Sequence, residues 1–301
     1  MSNRWWIYQR MRFPLLAHGP LIAVFSFSAV SFSSLLRGRV APPDPATVLV
    51  AFATALLFFL QLRIADEFKD YEEDSRYRPY RPVQRGLVTL RELRIIGFAG
   101  AAIQLGLSIW LKPSLAFLLV GVWLYMGLMS KEFFVRDWLK TRPFAYMWTH
   151  SLIIPFIQLY VTACDWLAAG AAPPRGLIWF LAVGFFNGIV IEIGRKIRAP
   201  EDEEHGVETY SVLWGRRDAV LAWLGASVLT AASALLAANR IDMRVSIAGL
   251  VSVLLSAEAA IAWCFLRQPT TRRARLIEPM SAVWTLFIYL GLGLLPLLLQ
   301  A

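Results

Sequence analysis

The chain has 301 residues, 57% of them hydrophobic, and 30 Lys and Arg against 21 Asp and Glu give a formal net charge of +9. A mean hydropathy of +0.54 is too apolar for an ordinary water-soluble domain and fits a multi-span membrane protein. The positive balance does not call for nucleic acid, because basic loops are normal on the cytoplasmic face of such proteins.

An apolar run of about 20 residues spans a bilayer core. Nine candidates follow one another, at roughly 14–36, 46–65, 92–111, 114–130, 144–164, 176–194, 218–238, 245–266 and 277–299. The expected fold is therefore all-α, one polytopic domain over 1–301 built as a bundle of nine transmembrane helices. The first run is long and no small-residue cleavage site follows it, so it reads as a retained helix rather than a signal peptide. Alternating the loops between two sides places 24 Lys and Arg on the N-terminal side and 6 on the other. That asymmetry predicts a cytoplasmic N-terminus. The expectation is an integral, multi-pass protein of a bacterial inner membrane.

Where the second run ends, "RIADEFKDYEED" (63–74) gathers acids. Asp66, Asp70 and Asp74 are spaced by four, and Glu67, Asp70 and Asp74 form a second stripe at steps of three and four. Like charges at this spacing repel, so their presence makes sense if a cation sits among them. Clustered carboxylates suit Mg²⁺, which commonly bridges protein carboxylates to substrate phosphates. The plainer alternative is a solvated helix end. "RYRPYRPVQRGLVT" (76–89) follows, with Arg78, Arg81 and Arg85 as candidates for phosphate oxygens, Pro79 and Pro82 stopping the helix, and Gly86 allowing a bend.

A second mixture comes after the sixth run, in "FNGIVIEIGRKIRAPEDEEHGVETYSVLWG" (186–215). Glu192 is followed by Arg195, Lys196 and Arg198, then by Glu201, Asp202, Glu203 and Glu204. Here the plain alternative is a Glu192–Lys196 ion pair and a solvated "PEDEE" loop whose acids are interchangeable.

These motifs resemble those of the UbiA-type intramembrane prenyltransferases. The family's first signature, Asn-x-x-x-Asp-x-x-x-Asp, is matched by "DEFKDYEED", with Asp66 in the Asn place, Glu67 as the following acid, and Asp70 and Asp74 in the Asp places. Arg81, Pro82 and Gly86 match its next segment. The second signature fits less well. Gly206, Val207 and Thr209 agree and Asp202 falls where the later Asp is expected, but the earlier position is Arg198 unless Glu192 takes that role. The resemblance implies a bundle with a laterally open cavity capped by cytoplasmic loops, and Mg²⁺-dependent use of an isoprenyl diphosphate. On that reading Asp66, Glu67, Asp70, Asp74 and Asp202 hold metal, and Glu192 joins them in catalysis. Arg78, Arg81, Arg85, Lys131, Arg195, Lys196 and Arg198 bind substrate. Pyrophosphate leaves more readily when metal and cations neutralise its charge, and the allylic cation left behind needs a dry, aromatic cavity. Tyr125 is one such aromatic, with Trp123, Tyr146, Trp148, Phe185 and Phe186.

The expected partners are an isoprenyl diphosphate, a lipophilic and foremost aromatic acceptor, and the bilayer. The alternatives are a terpene cyclase, which ionises the same donor without an acceptor, and a permease. The acids cluster at one face and only Glu258 lies deep in a helix, which argues against transport. Cys164 and Cys264 are too few for a metal cluster and read as small buried apolar groups.

Overall fold

The computed structural model describes residues 3–300, and every regular element among them is helical. Helix α1 (Arg4–Arg12) is short and polar, and the Asn3 side chain caps it by accepting from the Trp5 amide. Helices α2 (Leu15–Leu36) and α3 (Pro45–Lys69) follow. The start of α3 is set by Pro45 in its first turn and by Asp44, which accepts from the Thr47 amide at 2.9 Å. Helix α4 (Tyr71–Tyr77) is a short continuation, and α5 (Leu90–Leu111) opens on a capping box between Thr89 and Glu92. Then come α6 (Leu115–Ser130), α7 (Arg136–Lys140), α8 (Pro143–Ser151), α9 (Ile153–Trp166) and α10 (Leu177–Gly194). The chain ends with α11 (Tyr210–Leu213), α12 (Arg216–Ala238), α13 (Arg244–Arg267), α14 (Thr271–Ala274), α15 (Ile277–Gly293) and α16 (Leu295–Leu299).

Eight segments among the described residues are long and apolar enough to cross a bilayer: α2, α3, α5, α8 with α9, α10, α12, α13, and α14 with α15. The ninth expected segment, α6, is apolar but has 16 residues. The protein is thus an all-helical, multi-pass membrane protein with one undersized member.

Three expected boundaries shift for local reasons. The fifth segment breaks at Leu152 because Pro155 has no N–H to give the Ser151 carbonyl. Pro296 acts similarly near the last break, where α15 gives way to α16. Helix α3 runs on to Lys69, past the expected end of the apolar run at 65, so Asp66 and Glu67 occupy its final turn.

In the centre, α2 packs against α3, α9 and α15, while α10 packs against α9, α12 and α15. Phe32 of α2 stacks on Phe180 of α10 at 4.4 Å, and Trp223, Trp284 and Tyr160 are fully buried. Hydrophobic contact drives helices together only weakly in lipid, so close approach and interhelical hydrogen bonds matter more. Trp223 Nε1 donates to Ser281 Oγ at 2.9 Å, and Trp284 Nε1 donates to Asn187 Oδ1 at 3.1 Å. Helices α2 and α15 meet where a Cβ on Gly293 would lie 2.3 Å from Ser28 Cα, so this contact needs glycine. At the end of the bundle away from the acids, Arg37 forks onto Asp165 at 2.6 and 3.1 Å, tying α2 to α9. Cys164 is buried as expected, whereas Cys264 is exposed on the outer face of α13.

Candidate functional site

The acids of the first motif do not form one continuous stripe. Helix α3 stops at Lys69, Asp70 caps it with φ −95° and ψ 8°, and α4 begins at Tyr71. The break divides the carboxylates by their surroundings. Glu67 is fully buried and its Oε1 accepts from Arg12 Nε, while its Oε2 has no hydrogen-bond partner. Asp74 is also buried and is held by Arg81 and, at 3.2 Å, by Arg78. Asp66 is half-buried, with Arg63 3.3 Å away. The Asp70 carboxylate has no ion-pair or hydrogen-bond partner among the described residues. Burial pushes Asp70 up to about 6, against the pull of Lys69 and with the help of the nearby Asp66, Asp74 and Glu73 charges.

Basic and aromatic groups complete this end of the bundle. Lys69 Nζ donates to Tyr146 OH at 2.6 Å and lies 5.2 Å above the same ring. Tyr146 stacks on His150 at 3.9 Å. Arg81 and Arg78 converge on Asp74, whereas Arg85 is exposed and has no ion-pair partner among the described residues. Tyr125 gives its hydroxyl to the Thr149 carbonyl at 2.7 Å, leaving its ring stacked on Phe156 at 4.6 Å and edge-on to Phe133. Trp148 lies against Phe185 at 4.9 Å and Phe185 against Phe186 at 5.2 Å. Lys131 is exposed. The three residues after it, Glu132, Phe133 and Phe134, all have positive φ of 48–59°. A left-handed turn of three non-glycine residues is costly and survives only where the surroundings enforce it. Here Glu132 is buried with Arg136 at 3.3 Å.

In the second motif, Glu192 accepts from Arg195 Nε at 2.8 Å and from Lys196 Nζ at 2.9 Å. The Glu192 charge in turn raises Arg195 above the usual guanidinium range, and the Asp66 charge adds to the effect. Arg195 therefore links the two motifs electrostatically. The "PEDEE" acids are not interchangeable. Glu201 accepts from the Thr271 amide at 2.9 Å and Glu203 from Thr209 Oγ1 at 2.7 Å. Glu204 pairs with Arg198 at 2.8 Å. The Asp202 side chain has no such partner, and it lines a cavity of about 290 Å³ with Arg195, Arg198, Glu204, Arg275 and Glu278. The two loops meet where Gly206, at φ +76°, lies under Tyr77; a Cβ there would come within 2.3 Å of that ring.

Arg12, Lys69, His150 and the left-handed turn escaped the sequence reading. Lys69 was visible inside the acidic stretch, but its bond to Tyr146 crosses 77 residues of chain. Arg12 looked like one more basic residue ahead of a first span. No three Asp, Glu, His or Cys side chains among the described residues gather closely enough to hold a metal alone. The half-buried Asp66, paired only with Arg63, and Asp70, without a partner among the described residues, still suit Mg²⁺, which takes one or two protein carboxylates and completes its octahedron with phosphate and water.

The apolar helices and the charged groups at their ends define the class first: a multi-pass α-helical membrane protein. The chain belongs to the UbiA prenyltransferase family, whose family model matches residues 24–291. Solved structures agree on the fold. A UbiA homologue from Aeropyrum pernix K1 superposes with a TM-score of 0.67 at 14% identity, over 92% of this chain and 96% of that one. A structure of digeranylgeranylglyceryl phosphate synthase gives 0.61 at 14% identity, over 99% and 100%. A UbiA homologue from Archaeoglobus fulgidus bound to DMAPP and Mg²⁺ gives 0.56 at 12% identity, over 94% and 98%. No curated protein sequence matches the chain.

Proposed function

We infer that the protein is a Mg²⁺-dependent prenyltransferase that draws an isoprenyl diphosphate from the bilayer and passes the prenyl group to a lipophilic acceptor. The observation that carries this reading is the Asp70 carboxylate, without an ion-pair or hydrogen-bond partner among the described residues, close to Asp66 at a charged end of the apolar bundle that also carries Arg63, Arg78, Arg81 and Arg195. Family membership supports it, as do relatives whose structures hold DMAPP or GPP with Mg²⁺.

Bound Mg²⁺ would supply Lewis-acid neutralisation of the departing diphosphate. Asp66 and Asp70 would hold it, with Asp202 the candidate from the second loop. Arg78, Arg81 and Arg195 would bind phosphate oxygens. The C1–O bond of the donor breaks with its electron pair going to pyrophosphate, the acceptor attacks C1, and the acceptor's displaced proton is lost. Aromatic rings near this end, among them Tyr125, Phe133 and Phe185, would meet the developing cation with π density and exclude water. The asymmetry of 24 basic residues against 6 supports a cytoplasmic placement of this end and of the N-terminus.

The test is incubation of the protein in lipid nanodiscs with geranyl diphosphate and Mg²⁺. The expected result is pyrophosphate release together with a prenylated product when lipophilic phenols are added. Cyclic hydrocarbons formed without any acceptor would make the enzyme a cyclase. Absence of pyrophosphate release would overturn the reading.

A further inference from the structure

We propose that Glu67 is not a metal ligand but the buried counter-ion of Arg12, and that this pair makes Arg12 a positioning residue that holds Asp66 and Asp70 in place. The proposal rests on the reading of the site as a Mg²⁺-diphosphate centre.

The argument starts from burial. Glu67 is 0% exposed and Arg12 9%, and Arg12 Nε donates to Glu67 Oε1. An ion pair removed from water needs close geometry, because neither partner can be solvated if the other leaves. Its surroundings supply that geometry. One turn earlier on α1, Tyr8 is buried in a small cluster with Ile64, Val83, Val88 and Leu93, residues from α3, α5 and the segment joining α4 to α5. At the far end of α1, Arg4 bonds Glu92 at 2.7 Å. Helix α1 is therefore pinned at three levels against the elements that carry the first motif.

The helical spacing then assigns roles. Glu67 is one residue from Asp66, so on α3 its side chain projects about 100° away from the Asp66 direction. A carboxylate drawn to Arg12 on that side fixes the rotation of the last turn, and with it the aim of Asp66 and of Asp70 at the helix end. The Arg12 charge also acts on Arg81, whose partner is Asp74. Two arginine–carboxylate pairs thus engage Glu67 and Asp74, and leave Asp66, paired with Arg63, and Asp70, without a partner among the described residues, as the acids open to a ligand. The Arg12 end of the pair lies outside the matched family span of 24–291.

The test is a double-mutant cycle of Arg12→Gln, Glu67→Gln and the combined variant, in nanodiscs. Two quantities are read: thermal unfolding in EDTA without substrate, and pyrophosphate release from geranyl diphosphate across a Mg²⁺ titration. Each single change strands a buried charge, so each lowers the unfolding midpoint, and Arg12→Gln lowers turnover by about 10-fold or more. The combined variant recovers most of both losses. Half-saturating Mg²⁺ stays within about twofold of wild type in the combined variant, since no ligand has been lost, whereas removing a true ligand raises it on the order of 10-fold. A combined variant no better than Glu67→Gln, or one with strongly raised Mg²⁺ demand, overturns the proposal. Wild-type protein that releases no pyrophosphate would overturn the functional reading instead, and the stability cycle would then still report on the pair.

Discussion

Of Asp66, Glu67, Asp70 and Asp74, Asp70 is the one with no ion-pair or hydrogen-bond partner among the described residues, and it sits where α3 and α4 part. A residue that has no packing role and lies among like charges is expected to earn its place through a ligand. Asp70→Ala should lower pyrophosphate release by about 100-fold or more, comparable to removing one preorganised electrostatic group from an active site. Wild-type turnover in that variant would remove the metal from this position. Asp202 and Glu203 give a paired comparison, because one side chain is free at the cavity and the other is tied to Thr209. A Mg²⁺ titration should show a raised half-saturation point for Asp202→Ala and an unchanged one for Glu203→Ala. Equal behaviour of the two would leave the second loop without a metal role. At this scale the types of residue were legible in the sequence and their pairings were not. The acids and arginines of 66–85 announced themselves by density, but nothing in "DEFKD" tells which carboxylate an arginine 55 positions earlier will take.

Among the elements, the apolar runs were legible because a bilayer demands a continuous stretch of apolar side chains and satisfies no stray backbone group. Their ends were less so, since α3 can continue past the hydrocarbon into water as a charged helix. The break at Leu152 follows from Pro155, a visible signal whose effect depends on local packing. Two glycines test how elements meet. Gly293→Ala would drive a methyl into Ser28 at the α2–α15 contact and should cost about 1–3 kcal/mol of stability, read as a lowered unfolding midpoint in detergent. Unchanged stability would mean that the two helices separate freely. Gly206→Ala adds a side chain against Tyr77 at a backbone angle of +76° that disfavours alanine. It should unseat the second loop from the first and reduce turnover. The Tyr77→Ala/Gly206→Ala combination should recover only part of the loss, because the backbone strain remains.

For the whole molecule, charge distribution and shape decide orientation and access. Cysteine introduced at Arg10→Cys should react with a membrane-impermeant thiol reagent only in inside-out vesicles, and at Arg175→Cys only in right-side-out ones, in a background lacking Cys264. The reverse pattern would invert the topology drawn from the basic residues. Helix α6 carries a different consequence. Sixteen residues at 1.5 Å each make about 24 Å, short of a hydrocarbon layer of about 30 Å. Its outward side chains Phe117, Val120 and Leu124 are exposed, so lipid must meet this helix directly. A bilayer accommodates such a shortfall by thinning locally, at a fraction of a kcal/mol per Å. Such thinning beside the turn that follows Lys131 would shorten the path from the headgroup layer to the acids for the lipid diphosphate of the proposed function. Turnover should therefore be set partly by acyl-chain length, falling as nanodisc lipids are lengthened and the thinning becomes harder to make.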